Sequence, residues 1–266
     1  MEPRKRVIVK IIGRTSLGTS RSLPDNPKEW RISEVAKNRP PAEWGKVFEE
    51  SSNEFLKIDA LIESQKRKGK AIYPYPFQTF YAFEACPLSK VKVVIFGQDP
   101  YPDLDQNGNP RAIGMSFAVS KGVEIPVSAN KIYKMIKKSY PNFSSPKHAD
   151  WTKWANQGIL FLNSSLTVNA NEPNSHENWW DGFFKRVLDE LNKINRKVIY
   201  LLWGGPAQRL ESKIPYEHAV ILTAPHPVAR NLKDDDPNSF VSCGHFAKIN
   251  ELLKEWGEDE IDWSLD

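Results

Sequence analysis

The sequence predicts an α/β fold: a single domain with a central, mostly parallel four-stranded sheet flanked by helices. Three observations predict it. Four short apolar, β-branched runs, at residues 91–96, 158–162, 197–202 and 219–223, read as buried strands. Amphipathic helical stretches alternate with these strands, the pattern of a parallel sheet. Every run also stops at turn-forming or small polar residues, which bounds it sharply.

The elements follow in order. Residues 1–40 mix basic residues with Ser, Gly and Pro and read as a flexible arm, with one candidate strand at 7–12. The body is expected to begin at Pro41-Ala-Glu-Trp44 and to run to residue 266. From Trp44 to about residue 68, Trp44, Val47, Phe48, Phe55, Ile58, Leu61 and Ile62 recur near helical spacing. A break is expected at Ser51-Ser-Asn53, where Ser would cap a second helix. Ser128 is the expected cap of a helix carrying Ile132, Met135, Ile136 and Tyr140. Trp180, Phe183, Phe184, Val187, Leu188, Leu191 and Ile194 mark the next helix. Gly205-Pro206 opens a third, since Pro suits a first helical turn. The last carries Phe246, Ile249, Leu252, Leu253 and Trp256, and stops at Gly257.

Composition narrows the class. Charged residues are 26% and hydrophobic ones 40% of 266, ordinary for a soluble globular protein. No apolar run approaches the roughly 18 residues that span a bilayer, and no signal peptide is evident, so neither a membrane role nor secretion is expected. Two cysteines, Cys86 and Cys243, are too few for a disulfide framework, and an intracellular setting, cytoplasm or nucleus, is expected. The net charge of +4 is uneven: residues 1–40 hold ten Lys/Arg against four Asp/Glu, leaving −2 for the remainder. Such an arm suits a nucleic-acid partner, a targeting tail or simple solvation.

The strand ends carry the chemistry. The first run passes into Gly97-Gln-Asp-Pro-Tyr101, the second into Asn163, the third into Trp203-Gly-Gly205, the fourth into Ala224-Pro-His226-Pro. In an open parallel sheet the carboxyl ends of the strands form the ligand site. Singly, each residue has an ordinary explanation as turn chemistry. Together they supply a carboxylate, an amide, a glycine pair and an imidazole along one edge. No nucleophile elbow accompanies them, no phosphate-binding Gly loop follows the first strand, and the five histidines lack i, i+4 spacing. Metal-free hydrolysis of something planar remains, with no cofactor expected.

Several motifs bear a family resemblance. Gly97-Gln-Asp-Pro-Tyr101, Leu162-Asn163 followed by Leu166-Thr-Val168, Asn174-Ser-His176, Leu201-Leu-Trp-Gly204, His226-Pro227 and the stretch from His245 to Leu253 resemble family 1 uracil-DNA glycosylases in order and nearly in spacing. The resemblance covers roughly residues 41–266. It implies a uracil-DNA glycosylase-like fold, a uracil-containing DNA substrate, single- or double-stranded, and a base flipped into a pocket. It implies Asp99 and His226 as catalytic residues: an ionised Asp99 facing an oxocarbenium-like sugar, a neutral His226 bonding the anion developing on uracil O2. Gln98, Tyr101, Phe117 and Asn163 would hold uracil. Phe117 would stack on it, Asn163 would pair with O4 and N3–H, and Tyr101 would exclude a 5-methyl group. Ser128, Gly205, Val228 and Arg230 occupy the DNA-contacting positions. Too few cysteines exist for the related iron–sulfur enzymes.

The chain departs from that family at the strand-gripping positions. Pro102 stands where most members carry His, Val228 replaces a backbone-contacting Ser, Gly205 replaces another, and Arg230 replaces an apolar wedge. Poxvirus-type members resemble the chain in the Pro and the Arg wedge and also serve as processivity partners. A monomer is expected, with a replication protein as a candidate partner. The alternative to an enzyme is a glycosylase fold kept as a DNA-binding replication accessory. Asp234-Asp-Asp236, in a loop longer than usual, has no evident role beside DNA.

Overall fold

The chain is described here by a computed structural model, over residues 26, 29–194, 196–214, 217–229 and 232–265. Helices α1 (Ile32–Asn38), α2 (Gly45–Glu50) and α3 (Ser52–Arg67) lead to strand β1 (Ile72–Tyr73) and helix α4 (Tyr81–Ala85). Strand β2 (Val93–Gly97), helices α5 (Val127–Ser139) and α6 (Thr152–Asn156), and strands β3 (Ile159–Asn163) and β4 (Val168–Asn169) follow. Helix α7 (Asp181–Lys193), strand β5 (Val198–Trp203), helix α8 (Gly205–Gln208), strand β6 (Ala219–Ala224) and helix α9 (His245–Glu255) complete the order.

Strands β3, β2, β5 and β6 lie side by side in that order, every pair parallel. The expected α/β fold with its four-stranded parallel sheet and flanking helices is therefore what forms. Every residue of β2, β3 and β5 is buried, which is why these strands read as unbroken apolar runs rather than alternating ones. Edge strand β6 is half-buried for most of its length. Beneath the helices, Phe48 meets Phe80, Phe83 and Phe183 edge to face, while Phe246 and Trp154 both meet Trp263 edge to face.

Four local expectations change. The body begins before Pro41: α1 lies in the stretch read as an arm, with Ile32, Val35 and Ala36 buried. The Asp59 carboxylate accepts from the Ile32 N–H at 2.8 Å and the Ser33 N–H at 3.3 Å, satisfying orphan donors at the α1 start. The candidate strand at 7–12 lies outside the described residues. Ser51 does separate α2 from α3, but its hydroxyl donates back to the Val47 carbonyl at 2.6 Å instead of capping forward. Ser128 is not the cap of α5 either: the helix starts two residues earlier than that cap would place it, at Val127 with Pro126 at the cap position, and the Ser128 hydroxyl is used elsewhere. An antiparallel pair, β1 with β4, was not expected; two residues per strand carry no periodicity.

Candidate active site

The strand ends converge because two glycines leave room. Gly97 and Asn163 are register partners at the ends of β2 and β3. A Cβ on Gly97 would overlap Asn163 Oδ1 and lie 2.9 Å from Ser116 Cβ, so only glycine lets the amide cross the strand end. At the end of β5, Gly204 has φ +85°, and a Cβ there would lie 2.8 Å from His226 Cβ. The second glycine thus admits the imidazole arriving from β6.

A cavity of about 340 Å3 opens at this edge. It is lined by Gln98, Asp99, Tyr101, Phe117, Ser128, Asn163, His226 and Val228, along with Gly97, Arg111 and the segment from Glu124 to Val127. Its size lies at the small end of ligand sites, which span about 300–1,000 Å3. Eight of the ten sequence-expected site residues thus meet at one cavity. Gly205 is not among its lining residues; it is exposed at the start of α8. Arg230 lies outside the described residues.

Burial sets the charge states. It pushes the Asp99 carboxyl above the usual carboxylate range, a rise that the charge of Glu177 adds to. The Asn174 N–H opposes it, donating to Asp99 Oδ2 at 2.6 Å. Burial lowers the His226 pKa, so the neutral imidazole is favoured near pH 7. The Val228 N–H donates to His226 Nδ1 at 3.3 Å. An acceptor Nδ1 places the proton on Nε2, the nitrogen left to donate to a ligand.

The aromatic wall is held firmly. The Tyr101 hydroxyl donates to the Phe117 carbonyl at 3.1 Å and lies 3.0 Å from Ser128 Oγ. Burial pushes its pKa up to about 12, keeping it a neutral phenol. Phe117 has φ +62°, an uncommon conformation for a side chain of its size, and sits 6.0 Å from the His226 ring.

Sequence reading missed Asn174 as a site residue, although its motif was noted. Its side-chain carbonyl accepts from Gln98 Nε2 while its N–H holds Asp99, so one residue braces two neighbours in the turn. The signal was a polar motif without a role of its own. His176, two residues on, is fully buried and bonds Thr167 Oγ1 at 2.8 Å and Asn169 Oδ1 at 2.9 Å, with its ring stacked on Trp179. It anchors the segment that delivers Asn174. Among the described residues, no group of three or more His, Cys, Asp or Glu is placed to hold a metal ion.

The acidic loop now has a role. Asp234 pairs with Lys131 and, at 2.8 Å, with Lys134, both on α5. The loop after His226 is thereby tied to the helix that begins at the cavity.

An aromatic-walled cavity at the carboxyl edge of a parallel sheet, lined by a half-buried carboxylate and a neutral imidazole, defines an α/β protein with the groups for hydrolysis. Residues 83–254 match the model of the Uracil DNA glycosylase superfamily. A uracil-DNA glycosylase of Proteus mirabilis is 38% identical over 229 residues, covering 85% of this chain and 97% of that one. A uracil-DNA glycosylase of Acinetobacter baylyi is 43% identical over 209 residues, 77% of this chain and 83% of that one. The crystal structure of mimivirus uracil-DNA glycosylase superposes with a TM-score of 0.78 at 32% identity, covering 88% of this chain and 89% of that one. The chain belongs to the uracil-DNA glycosylase superfamily.

Proposed function

We propose that the chain is a monofunctional uracil-DNA glycosylase, which hydrolyses the N-glycosidic bond of uracil in DNA and leaves an abasic site for base-excision repair. The observation that carries this reading is the convergence of Asp99, Asn163 and His226 on one cavity. Uracil, flipped from the strand, lies against Phe117. Asn163 donates to O4 and accepts from N3–H. Cytosine offers the opposite pattern and would leave these groups unpaired. Tyr101 occupies the space a 5-methyl group would need, which rejects thymine.

As the C1′–N1 bond breaks, its electron pair passes to uracil, and the growing charge on O2 accepts from His226 Nε2–H. The sugar becomes oxocarbenium-like, and ionised Asp99 stabilises it and orients a water for attack at C1′. The water proton passes to Asp99 and then to solvent, and the uracil anion takes its proton from solvent. Gln98 and Asn174 hold the turn that carries Asp99.

The grip on the strand is read from the motif positions. Ser128, Gly205 and Val228 face the backbone, although the Ser128 hydroxyl is already shared with Tyr101. Arg230 fills the vacated base position in duplex DNA and contacts the backbone by charge. The expectation is that Arg230→Ala harms excision from duplex more than from single strands; equal losses would refute the wedge. The chain works inside the cell as a monomer, and the poxvirus-type motifs support a replication-protein partner.

Substrate choice supplies the test of the whole reading. Asn163→Asp should lose about 100-fold or more in kcat/KM on uracil and gain relatively on cytosine, because a carboxyl group inverts the pairing pattern. Unchanged excision of uracil by this variant would overturn the assignment of the cavity.

A further inference from the structure

Between Tyr101 and Arg111 the chain makes a closed excursion. Leu104 and Pro110 form an antiparallel bridge, the Asp105 N–H donates to the Asn109 carbonyl at 2.7 Å, and the Arg111 N–H donates to the Asp103 carbonyl at 3.1 Å. The Asp105 carboxylate accepts from the Asn107 and Asn109 N–H groups, which tightens the tip. The excursion returns the chain beside its starting point. The Arg111 guanidinium consequently lies over the Tyr101 ring, with Cζ 5.2 Å from the ring centroid.

The guanidinium is fixed from two further sides. Nη1 donates to Asp103 Oδ2 at 2.8 Å, and Nη2 donates to the Glu124 carbonyl at 3.3 Å. Its Nε is buried with no hydrogen-bond partner, so that end of the group is withdrawn from solvent. With Asp103 balancing its charge, Arg111 is poorly placed to act as a free phosphate-seeking cation. Its Cζ instead lies over the aromatic ring, in the range of a cation–π contact.

We infer that Arg111 is a specificity-determining positioning residue, which presses on the Tyr101 ring and holds it as the wall that excludes substituents at C5 of the base. The inference rests on the uracil-excision reading above. Two restraints then act on one ring. The hydroxyl is tethered by Phe117 and Ser128, and the face is covered by Arg111. A ring held only at its hydroxyl can still tilt, and a tilt opens the space at C5. The effect appears in choice between bases more than in affinity for DNA, because the guanidinium acts through Tyr101.

The experiment compares kcat/KM on single-stranded oligonucleotides containing uracil or 5-fluorouracil, for wild type, Arg111→Ala, Arg111→Lys and Asp103→Asn. Wild type must excise uracil; if it does not, the excision reading fails before the inference is tested. The expected result for Arg111→Ala is a fall of about 3- to 30-fold in preference for uracil over 5-fluorouracil, the range of a cation–π contact from exposed to desolvated. Arg111→Lys restores only part of it, since an ammonium lacks the planar face. Asp103→Asn, which keeps the guanidinium but loosens it, moves preference the same way by less. Equal losses on both bases, or full rescue by lysine together with a lower salt slope of DNA binding, would overturn the inference and make Arg111 a backbone contact. Should Arg111→Ala fail to fold, Asp103→Asn and Arg111→Lys decide alone: unchanged preference in both overturns it.

Discussion

Gly97 and Asn163 face each other across the ends of β2 and β3, and the Asn163 side chain occupies the volume a Cβ on Gly97 would need. Neither residue can be understood without the other. Gly97→Ala should displace the amide by a large fraction of an ångström and lower kcat/KM on uracil by about 100-fold, the scale reported by small misplacements in a site. Overpacking should also cost about 1–3 kcal/mol of stability. Steady-state kinetics with a thermal melt checks both. Wild-type kinetics in Gly97→Ala would mean that Asn163 is not held where the structure puts it.

The pH profile follows from Asp99 and His226. The proposed mechanism needs the ionised carboxylate and the neutral imidazole. Burial raises the Asp99 pKa and lowers that of His226. We predict that kcat/KM rises through a midpoint above the usual carboxylate value of about 4, then stays level through neutral pH. The linkage has the opposite sign for stability. A carboxyl whose folded pKa is raised contributes stability that is fully present below its unfolded value of about 4 and is lost as pH rises through the folded pKa. Asp99→Asn should therefore raise the melting temperature at pH 7 while abolishing most activity. A lower melting temperature would contradict the burial assignment.

Acid stability should be set by two other histidines. Burial lowers both His176 and His245 to about 4. Each contributes stability that is fully present above the ordinary value near 6.5 and is lost as pH falls toward 4. The melting temperature is expected to drop through that window, ahead of the exposed ion pairs. His245 accepts from Trp203 Nε1 at 3.1 Å, so protonation also breaks a buried bond. A flat melting temperature between pH 6.5 and pH 4 would rule this out.

Asp234 pairs with Lys131 and Lys134, one and two turns along α5 from the cavity-lining Ser128, and we predict that it competes with DNA for them. In Asp234→Asn both ammonium groups are released. The salt slope of DNA binding should steepen by as much as one to two counterions, with a modest gain in affinity at low salt. Fluorescence anisotropy across a salt series measures it; an unchanged slope would place both lysines off the DNA path.

Much of this was legible in the sequence, for physical reasons. Strands buried on both faces announce themselves as apolar runs, and a parallel sheet puts their ends on one edge, so Asp99, Asn163 and His226 could be grouped before any geometry was known. Helix α1 was hidden because its buried positions, Ile32, Val35 and Ala36, sit in a basic, proline-flanked stretch, and its start is capped by Asp59, 27 residues away. Asn174 and Arg111 were missed for a related reason. The N–H of Asn174 reaches Asp99 across 75 residues, and Arg111 reaches Tyr101 only because a hairpin returns it. Periodicity carries no trace of such contacts. A lone polar residue in a loop looks the same whether it braces a site or solvates a turn.

The most direct measurement is excision from a uracil-containing oligonucleotide in EDTA, read by alkaline cleavage at abasic sites, for wild type and Asp99→Asn. We predict efficient cleavage with wild type and a fall of about 100- to 1,000-fold in the variant, the scale of losing one electrostatic contact to the transition state. No strand scission with wild type, or full activity in Asp99→Asn, would contradict the assignment of this cavity as a metal-free glycosylase site.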